Sequence, residues 1–235
     1  MIQKKHLLSA LIFFSVQRMS SQSSVGFDLQ TNRDFYTLND AGGELKQAPR
    51  INISPGIVYR YLFKNKFAIY SGLRFKYYSG SVTFKKSIGS NTGVVNVSAQ
   101  VPLIMGRNFN LYEQKLFISP LVGGTFNLLL LNQPSRMGGS VGNNSDSLRY
   151  SSTTLTTQSA FVTLNVGLNV EYRFVEWLSL AAFLQYTKGF TAVMRDEVSY
   201  HVNQSGEKAA TQTNYGNYGT YLGFRMLFHF KKKEF

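Results

Sequence analysis

The residues best able to do acid–base chemistry lie close together near the end of the chain. Asp196 and Glu197 precede Ser199, and His201 follows two positions later. A histidine beside a hydroxyl and a carboxylate is the set that general acid–base or nucleophilic catalysis requires. In a stretch of mixed polar residues, however, the same set is more often solvated surface. We therefore expect no catalytic residues here and no enzyme activity.

Other signatures of chemistry are missing from the sequence. The chain has no cysteine, which excludes disulfides, thiolate metal sites and a cysteine nucleophile. No spacing of His, Asp and Glu is typical of a metal site, and no glycine-rich phosphate loop follows a strand pattern. The sequence therefore predicts no metal ligands, no cofactor-binding residues and no cofactor.

The composition is aromatic, basic and poor in charge. The 235 residues include 19 Phe and 14 Tyr, 16% are charged, and the formal net charge is +13. This is the opposite of a disordered composition, and the length suffices for one domain. A basic chain rich in aromatics can bind nucleic acid, but the basic residues do not collect on one predicted surface. We expect no nucleic acid partner.

The first 24 residues are typical of a secretory signal peptide. A positive region at 4–6 precedes an apolar run at 7–16, and small polar residues follow. That run is too short to cross a bilayer as a helix. We predict a signal peptide over 1–24, whose cleavage position the sequence does not fix, and a mature domain over 25–235. A buried N-terminal helix is the alternative.

The mature chain alternates between apolar and polar residues with period 2, the pattern of a β-strand. Between 160 and 174, the even positions are apolar or aromatic, whereas the odd positions include Thr163, Asn165 and Glu171. No run of apolar residues is long enough for a transmembrane helix. The same alternation predicts eight strands, at 25–37, 51–63, 67–78, 94–108, 116–132, 160–174, 178–187 and 218–230.

Short and long connections alternate between these predicted strands. The short turns are at 64–66, 110–113 and 175–176, and the long connections are at 38–50, 87–93, 133–154 and 195–213. All short turns therefore lie at one end of an up-and-down meander, together with both chain ends. Such a meander closes into an antiparallel barrel. The predicted fold is all-β, an eight-stranded antiparallel up-and-down barrel.

Alternate residues of a strand point to opposite faces of the barrel wall, and the chemistry of these two sets of side chains decides which face meets water. The side chains on the apolar face of the strands are too bulky for a narrow interior, whereas the opposite face is rich in Gly, Ser, Asn and Thr. We therefore expect a transmembrane barrel with a polar interior. The predicted interior polar residues are Arg60, Arg74, Lys76, Gln100, Asn169, Glu171, Arg173 and Arg225. The predicted interfacial aromatics are Tyr59, Tyr61, Phe63, Tyr172, Phe174, Trp177, Phe228 and Phe230. A secreted soluble barrel that binds an apolar ligand is an alternative.

The last predicted strand adds a resemblance to a known family. Tyr221, Gly223, Met226 and Phe228 resemble the assembly signal of outer-membrane barrels, although the chain continues through a basic tail to Phe235. The whole pattern resembles the OmpX/OmpA-like eight-stranded outer membrane β-barrel family, especially the Bacteroidetes-type porin-like "outer membrane protein beta-barrel domain" group. The resemblance implies the outer membrane of a Gram-negative bacterium, periplasmic chain ends and contact with the outer-membrane assembly machinery during biogenesis.

The expected function is a structural or surface-binding role carried by the long extracellular loops. The expected partners are the lipid bilayer and lipopolysaccharide, with a further surface partner at 133–154 and 195–213. An alternative is a narrow anion-preferring pore lined by Arg60, Arg74 and Arg225, because Glu171 is the only acid predicted inside.

Overall fold

The computed structural model describes residues 22–47, 51–85, 91–130, 135–141, 148–202, 206–214 and 218–230. Among these residues, no helix has the length and hydrophobicity needed to cross a bilayer. The described strands are β1 (Gln22–Asp34), β2 (Thr37–Asp40), β3 (Leu45–Gln47), β4 (Ile51–Leu62), β5 (Phe67–Phe84), β6 (Asn91–Arg107), β7 (Phe109–Tyr112), β8 (Leu116–Leu129), β9 (Ser135–Val141), β10 (Leu148–Thr156), β11 (Ala160–Val175), β12 (Leu178–Gly189), β13 (Met194–Val202), β14 (Lys208–Asn214) and β15 (Gly219–Phe230).

Eight of these strands form a closed antiparallel barrel in the order β1, β4, β5, β6, β8, β11, β12 and β15. Pairing between β15 and β1 closes the barrel. The predicted fold is confirmed, and each predicted strand overlaps one barrel strand. The signal peptide stays a prediction, because residues 1–21 lie outside the described residues and 22–24 belong to β1.

The alternation of side chains shows which face of the wall is apolar. In β11, Val162, Leu164 and Val166 are 54–56% exposed on the outside, whereas Thr163 and Asn165 are buried inside. The other barrel strands also present large apolar side chains outward. A soluble barrel would reverse this arrangement, so the alternative of a secreted soluble barrel is wrong and the outer surface is lipid-facing.

The short connections lie at one end of the barrel, which is the periplasmic end in barrels of this kind. The turn after β4 is tight, and its Lys66 has a positive φ of 67°. The connection predicted as a tight turn at 110–113 differs, because β7 forms a small hairpin with β8 there. Glu113 and Gln114 make the turn of this hairpin with φ values of 41° and 56°.

A second antiparallel sheet of five strands extends from the opposite end, in the order β2, β14, β13, β10 and β9. The barrel strands that lead into it along the chain are β1, β15, β12, β11 and β8, in the same spatial order. The sheet, which we call the extracellular sheet, therefore continues the barrel wall beyond the membrane. The prediction that 133–154 and 195–213 are loops is wrong, since they hold β9, most of β10, β13 and β14.

The other two long connections are also shorter than predicted. The segment 38–50 holds most of β2 and all of β3, which pairs with the end of β5. The segment 87–93 overlaps β6, which begins at Asn91. The β5–β6 hairpin therefore also projects beyond the barrel.

Two apolar layers cross the inside of the wall. The inner layer lies toward the periplasmic end and consists of Val58, Ala68, Tyr70, Ile104, Leu121 and Leu227. The outer layer lies where the barrel meets the extracellular sheet and consists of Tyr78, Leu129, Phe161, Val193 and Met194. The space between them is the lumen proper, and its side chains are mainly polar, with Phe183 beside Arg74 and Arg225 as an exception.

Candidate functional site

A cluster of polar side chains fills the periplasmic end of the barrel. Arg60 Nη1 donates to Glu171 Oε2 at 2.5 Å, and Ser179 Oγ donates to Glu171 Oε1 at 2.7 Å. His229 Nδ1 lies 2.7 Å from Ser24 Oγ and 3.1 Å from Arg60 Nη2. These five side chains are at most 6% exposed. Although serine, histidine and glutamate meet here, the cluster is packed on all sides and presents no open nucleophile to a substrate.

A second ion-pair cluster lies in the middle of the lumen. Arg225, Asp28, Gly56 and Arg74 form one row across four adjacent strands. Because Gly56 has no side chain, Arg74 passes over it and donates to Asp28 Oδ2 from Nε at 2.9 Å and from Nη2 at 2.5 Å. Arg225 Nη2 donates to the same oxygen at 3.2 Å. The guanidinium carbon of Arg225 also lies 4.8 Å from the ring centre of Tyr70, a cation–π contact.

A third cluster lies below the outer apolar layer. Lys76 Nζ donates to Asp34 Oδ1 at 2.5 Å and lies 2.6 Å from the hydroxyl of Tyr221. The ammonium also stands 4.5 Å from the ring centre of Tyr78. The charged groups of these three clusters thus each have an oppositely charged partner and a hydrogen bond, which a buried charge requires.

The carboxylates Asp28 and Asp34 were missed by the sequence analysis, which named only Glu171 as an acid inside. Among the described residues, the lumen-facing cations Arg60, Arg74, Lys76, Arg173 and Arg225 therefore meet three carboxylates. The signal that could have found them is the even-numbered run of Asp28, Gln30, Asn32 and Asp34, all buried. The run was not recognised because apolar and polar residues alternate only weakly in β1.

The remaining residues predicted inside the barrel also face the lumen. Gln100 Nε2 donates to Asn127 Oδ1 at 2.8 Å, and Asn169 is fully buried. Arg173 is half-buried at the periplasmic mouth, where Nη2 donates to Gln22 Oε1 at 3.3 Å. The eight predicted residues therefore divide between four places: the periplasmic cluster, the middle of the lumen, the Lys76 cluster below the outer apolar layer and the periplasmic mouth.

The space left between these side chains is small. A cavity of about 10 Å³ lies in the lumen, bordered by Gln30, Arg74, Gln185 and other polar residues. That is room for about one water molecule. An apolar layer stands on each side of this cavity.

A larger pocket of about 290 Å³ opens at the periplasmic mouth. Lys64, Lys66 and Arg173 line it beside Phe63 and Phe117. Arg173 stacks on the ring of Phe117, with 5.3 Å from its guanidinium carbon to the ring centre. Three cationic side chains therefore border this pocket.

The predicted interfacial aromatics stand on the outer surface near the periplasmic end. Tyr59, Tyr172, Phe174, Trp177 and Phe230 are exposed, whereas the other three are half-buried. Ring contacts join Tyr61 to Phe63, Tyr172 to Phe174 and Trp177 to Phe228. The sequence analysis missed a second group at the other end of the barrel strands, where the ring of Tyr218 contacts those of Phe35 and Tyr186.

The outward face of the extracellular sheet is polar and cationic. Arg136 on β9, Arg149 on β10 and Arg195 on β13 are exposed there. Arg195 Nε lies 3.4 Å from Glu197 Oε1, and His201 stands directly opposite Arg149. Within the described ranges, no group of three or more His, Asp or Glu side chains could hold a metal ion.

The acid–base residues singled out in the sequence are divided by this sheet. Glu197 and His201 are exposed on the outward face, whereas Asp196 is buried on the inward face. Asp196 is therefore separated from Glu197, Ser199 and His201, which share the outward side of β13, because successive residues of a strand point to opposite faces.

Asp40 anchors the turn between β2 and β3. Its Oδ1 accepts from the Tyr200 hydroxyl at 2.6 Å and from Gly42 N at 3.0 Å, and its Oδ2 accepts from Leu45 N at 2.7 Å. Partial burial raises the pKa of Asp40, but these hydrogen bonds outweigh burial and hold the pKa below its usual value of 3.8. The ionised carboxylate therefore stabilises this part of the extracellular wall.

Comparison with solved structures identifies the same architecture elsewhere. The outer membrane protein OprG from Pseudomonas aeruginosa matches with a TM-score of 0.55 and 9% sequence identity, over 91% of this chain and 98% of that chain. The chain has the fold of the OmpX/OmpA-like outer-membrane β-barrels. A major outer membrane protein from Thermus thermophilus matches with a TM-score of 0.45 and 12% identity, over 88% of this chain and 99% of that chain. Ail, the attachment invasion locus protein of Yersinia pestis, matches with a TM-score of 0.37 and 13% identity, over 90% and 100%.

No family model and no curated protein sequence matches the chain. The Bacteroidetes-type subgroup therefore stays a prediction. The closed barrel with an apolar outer surface and a polar lumen nevertheless belongs in the lipid bilayer of a Gram-negative outer membrane. The fold by itself assigns no activity to this outer-membrane-type barrel.

Proposed function

We propose that the protein acts through its extracellular sheet, as a structural or surface-binding element anchored by the barrel. The filled lumen is the observation that carries this proposal. Three buried ion-pair clusters and two apolar layers leave a cavity of about 10 Å³. Function on such a scaffold is expected at the parts that project from the membrane.

The outward face of the extracellular sheet supports a partner rich in phosphate. Arg136, Arg149 and Arg195 stand on neighbouring strands with one exposed carboxylate, Glu197, among them. Guanidinium groups bind phosphate through paired, charge-assisted hydrogen bonds. Lipopolysaccharide surrounds an outer-membrane barrel at this level and carries phosphate, so we propose it as the first partner of this face.

A binding experiment tests this role. Purified protein is titrated with lipopolysaccharide aggregates, and the double variant Arg136→Gln/Arg149→Gln is compared with wild type. We expect about tenfold weaker binding for the double variant, because each exposed charge contributes up to about 1 kcal/mol and a loss of about 1.4 kcal/mol is a factor of ten. Lys115→Gln, which removes an exposed cation at the periplasmic end, is the control and leaves binding unchanged. Equal binding by all three proteins would contradict the proposal.

A narrow anion-preferring pore is the second candidate, lined by the inward Arg and Lys residues. The cationic pocket of about 290 Å³ at the periplasmic mouth favours it. Single-channel recording in planar bilayers distinguishes the two. We expect no conductance steps from the wild-type protein, whereas anion-selective steps would favour the pore and exclude a closed lumen.

The outer-membrane assembly machinery is a proposed partner during biogenesis only. The last strand, β15, carries Tyr221, Gly223 and Phe228 at the positions that resemble the assembly signal. The basic tail at 231–235 lies outside the described residues.

A further inference from the structure

Asp196 is a buried carboxylate without a counter-ion on the inward face of the extracellular sheet. It is 7% exposed, and its Oδ1 accepts a hydrogen bond from Thr154 Oγ1 at 2.7 Å. Within the described part of the chain, no Lys, Arg or His forms an ion pair with it. The lumen carboxylates, in contrast, each have a cationic partner. A lone buried charge is costly, so this position requires an explanation.

Buried amides stand beside this carboxylate. Gln212 is directly opposite Asp196 on β14, and Asn214 follows on the same face. Both side chains are 1% exposed. Neither the oxygen nor the nitrogen of the Gln212 amide has a hydrogen-bond partner in the described structure. Buried amides are almost always satisfied in native proteins, so the Gln212 amide oxygen is an acceptor available to a ligand.

The register brings these groups within reach of one ion. Thr154, Asp196 and Gln212 form one row across β10, β13 and β14, and all three are buried on the inward face. Side chains directly opposite each other on adjacent strands have Cβ atoms about 4.5–5.5 Å apart. A carboxylate, a hydroxyl and amide oxygens are the ligands that Ca²⁺ takes in proteins.

We propose that Asp196, Thr154, Gln212 and Asn214 form a binding site for a divalent cation of the Ca²⁺ type. The ion neutralises Asp196 and accepts a lone pair from the Gln212 amide oxygen, which gives that oxygen the partner it lacks. With a single carboxylate the affinity is low, on the order of 10⁻⁴–10⁻³ M, as in extracellular calcium modules. The site goes beyond the surface-binding role, because it lies on the opposite face of the sheet from the exposed arginines.

The electrostatics of Asp196 agree with this assignment. Burial raises the pKa of Asp196 to about 6, and the single hydrogen bond from Thr154 only partly offsets that effect. Above that pH the carboxylate is ionised and gains from a bound cation. Ion binding then joins β10, β13 and β14 from the inside and stabilises the outward face indirectly.

Calorimetric titration tests the site. The full chain, folded in detergent without lipopolysaccharide at about pH 8, is titrated with CaCl₂ to roughly 10 mM, well above the expected dissociation constant. We compare wild type with Asp196→Asn and with Glu197→Gln, which removes the neighbouring carboxylate from the outward face. We expect wild type and Glu197→Gln to bind one Ca²⁺ equally, and Asp196→Asn to bind at least about tenfold more weakly.

A second readout guards against a folding defect of the variant. Hydrogen exchange of the β10 and β13 amides is measured with and without Ca²⁺. Protection that rises with Ca²⁺ in wild type but not in Asp196→Asn supports the site, and Gln212→Leu should weaken the same response. Absence of Ca²⁺ binding to wild type, or equal binding by Asp196→Asn, would overturn the proposal. Neither result depends on lipopolysaccharide, so the proposed surface-binding role is tested separately.

Discussion

At the scale of single residues, the lumen holds its charges by pairing them. Arg60 and Glu171 are both fully buried and paired with each other, and Arg60 Nη2 donates to Ser24 Oγ while Ser179 Oγ donates to Glu171 Oε1. Desolvation of two charges is costly, and a buried pair offsets this cost only when geometry and further hydrogen bonds are favourable. Removal of one partner alone should therefore lower the free energy of unfolding, because the other charge stays buried without a counter-ion.

Glu171→Gln tests this dependence. The change keeps the shape of the side chain but leaves Arg60 buried without its counter-ion, so we expect the free energy of unfolding to fall by about 3–5 kcal/mol. Urea unfolding in lipid vesicles measures it. Lys115→Met, which breaks the exposed pair with Glu113 at 3.9 Å, is the control and should change stability by less than about 0.5 kcal/mol. A loss below about 1 kcal/mol for Glu171→Gln would show that water compensates Arg60.

The hydrogen bonds to Asp40 predict an acid-sensitive turn. Because the pKa of Asp40 is lower in the folded protein than in the unfolded chain, its contribution to stability is present above about pH 3.8 and is lost as pH falls through the folded pKa. We expect the amides of Gly42 and Leu45 to lose exchange protection below about pH 4, relative to their intrinsic rates. Asp40→Asn should abolish this pH dependence. Glu44→Gln changes the neighbouring carboxylate and should leave it intact.

At the scale of strands and sheets, the wall of the barrel passes into the extracellular sheet through short breaks. Val193 N donates to Asn214 O at 2.8 Å, and Thr157 N donates to Val193 O at 2.9 Å. Phe35 N donates to Tyr218 O at 2.7 Å on the neighbouring strands. The backbone hydrogen bonding thus continues across the breaks, which explains why the two sheets keep the same strand order.

Phe84 connects the projecting β5–β6 hairpin to the extracellular sheet. It is 2% exposed and packs on the rings of Tyr150 and Tyr200, with ring centres 5.6 and 5.5 Å away. Phe84→Ala should cost about 3–5 kcal/mol of local stability, as for other buried phenylalanines. We expect hydrogen exchange to accelerate in β3 and β13 but not in β11.

Phe84→Leu is the matched variant for this prediction. It retains most of the apolar volume, so its effect on exchange should be smaller than that of Phe84→Ala. Equal acceleration in the barrel strands would mean that the wall unfolds as one unit.

The sequence predicted the barrel strands because lipid imposes a clear alternation on them. Outward positions must be apolar and inward positions small or polar, as in Val162 and Thr163. The strands of the extracellular sheet stand in water on their outer face, so β9 and β13 carry Gly, Ser and charge where barrel strands carry Leu and Val. These strands therefore lack the outward apolar residues that mark the barrel strands, and the alternation of Met194, Val198 and Tyr200 with polar residues in β13 was not recognised as a strand.

The lumen site was predictable by residue type but not by pairing. The alternation of apolar and polar residues correctly predicted which side chains point inward, including Arg74 and Arg225. Their shared partner, Asp28, lies on a strand whose register relative to theirs depends on the stagger of the closed barrel, which no local pattern encodes. The buried state of Asp196 was hidden for the same reason, since its exposed neighbours suggested a solvated loop.

At the scale of the whole molecule, closure of the barrel depends on the seam between the first and last strands. Gly26 lies opposite Leu227 in that seam. A Cβ atom at Gly26 would stand 1.9 Å from the carbonyl oxygen of Met226, so any side chain there forces the two backbones apart. Every other feature, from the paired charges to the extracellular sheet, requires this seam, because an open barrel exposes unpaired backbone groups to lipid.

Gly26→Val should therefore prevent stable closure. A closed barrel resists denaturing detergent until boiled and migrates differently on a gel before and after heating. We expect this heat-dependent shift for wild type and its loss for most of the Gly26→Val protein. Gly124→Ala is the matched control, because a Cβ atom there lies 3.5 Å from its nearest neighbour, an ordinary contact. A normal heat-dependent shift for Gly26→Val would contradict this prediction. It would mean that the barrel stays closed although the β1–β15 pairing at Gly26 is disturbed.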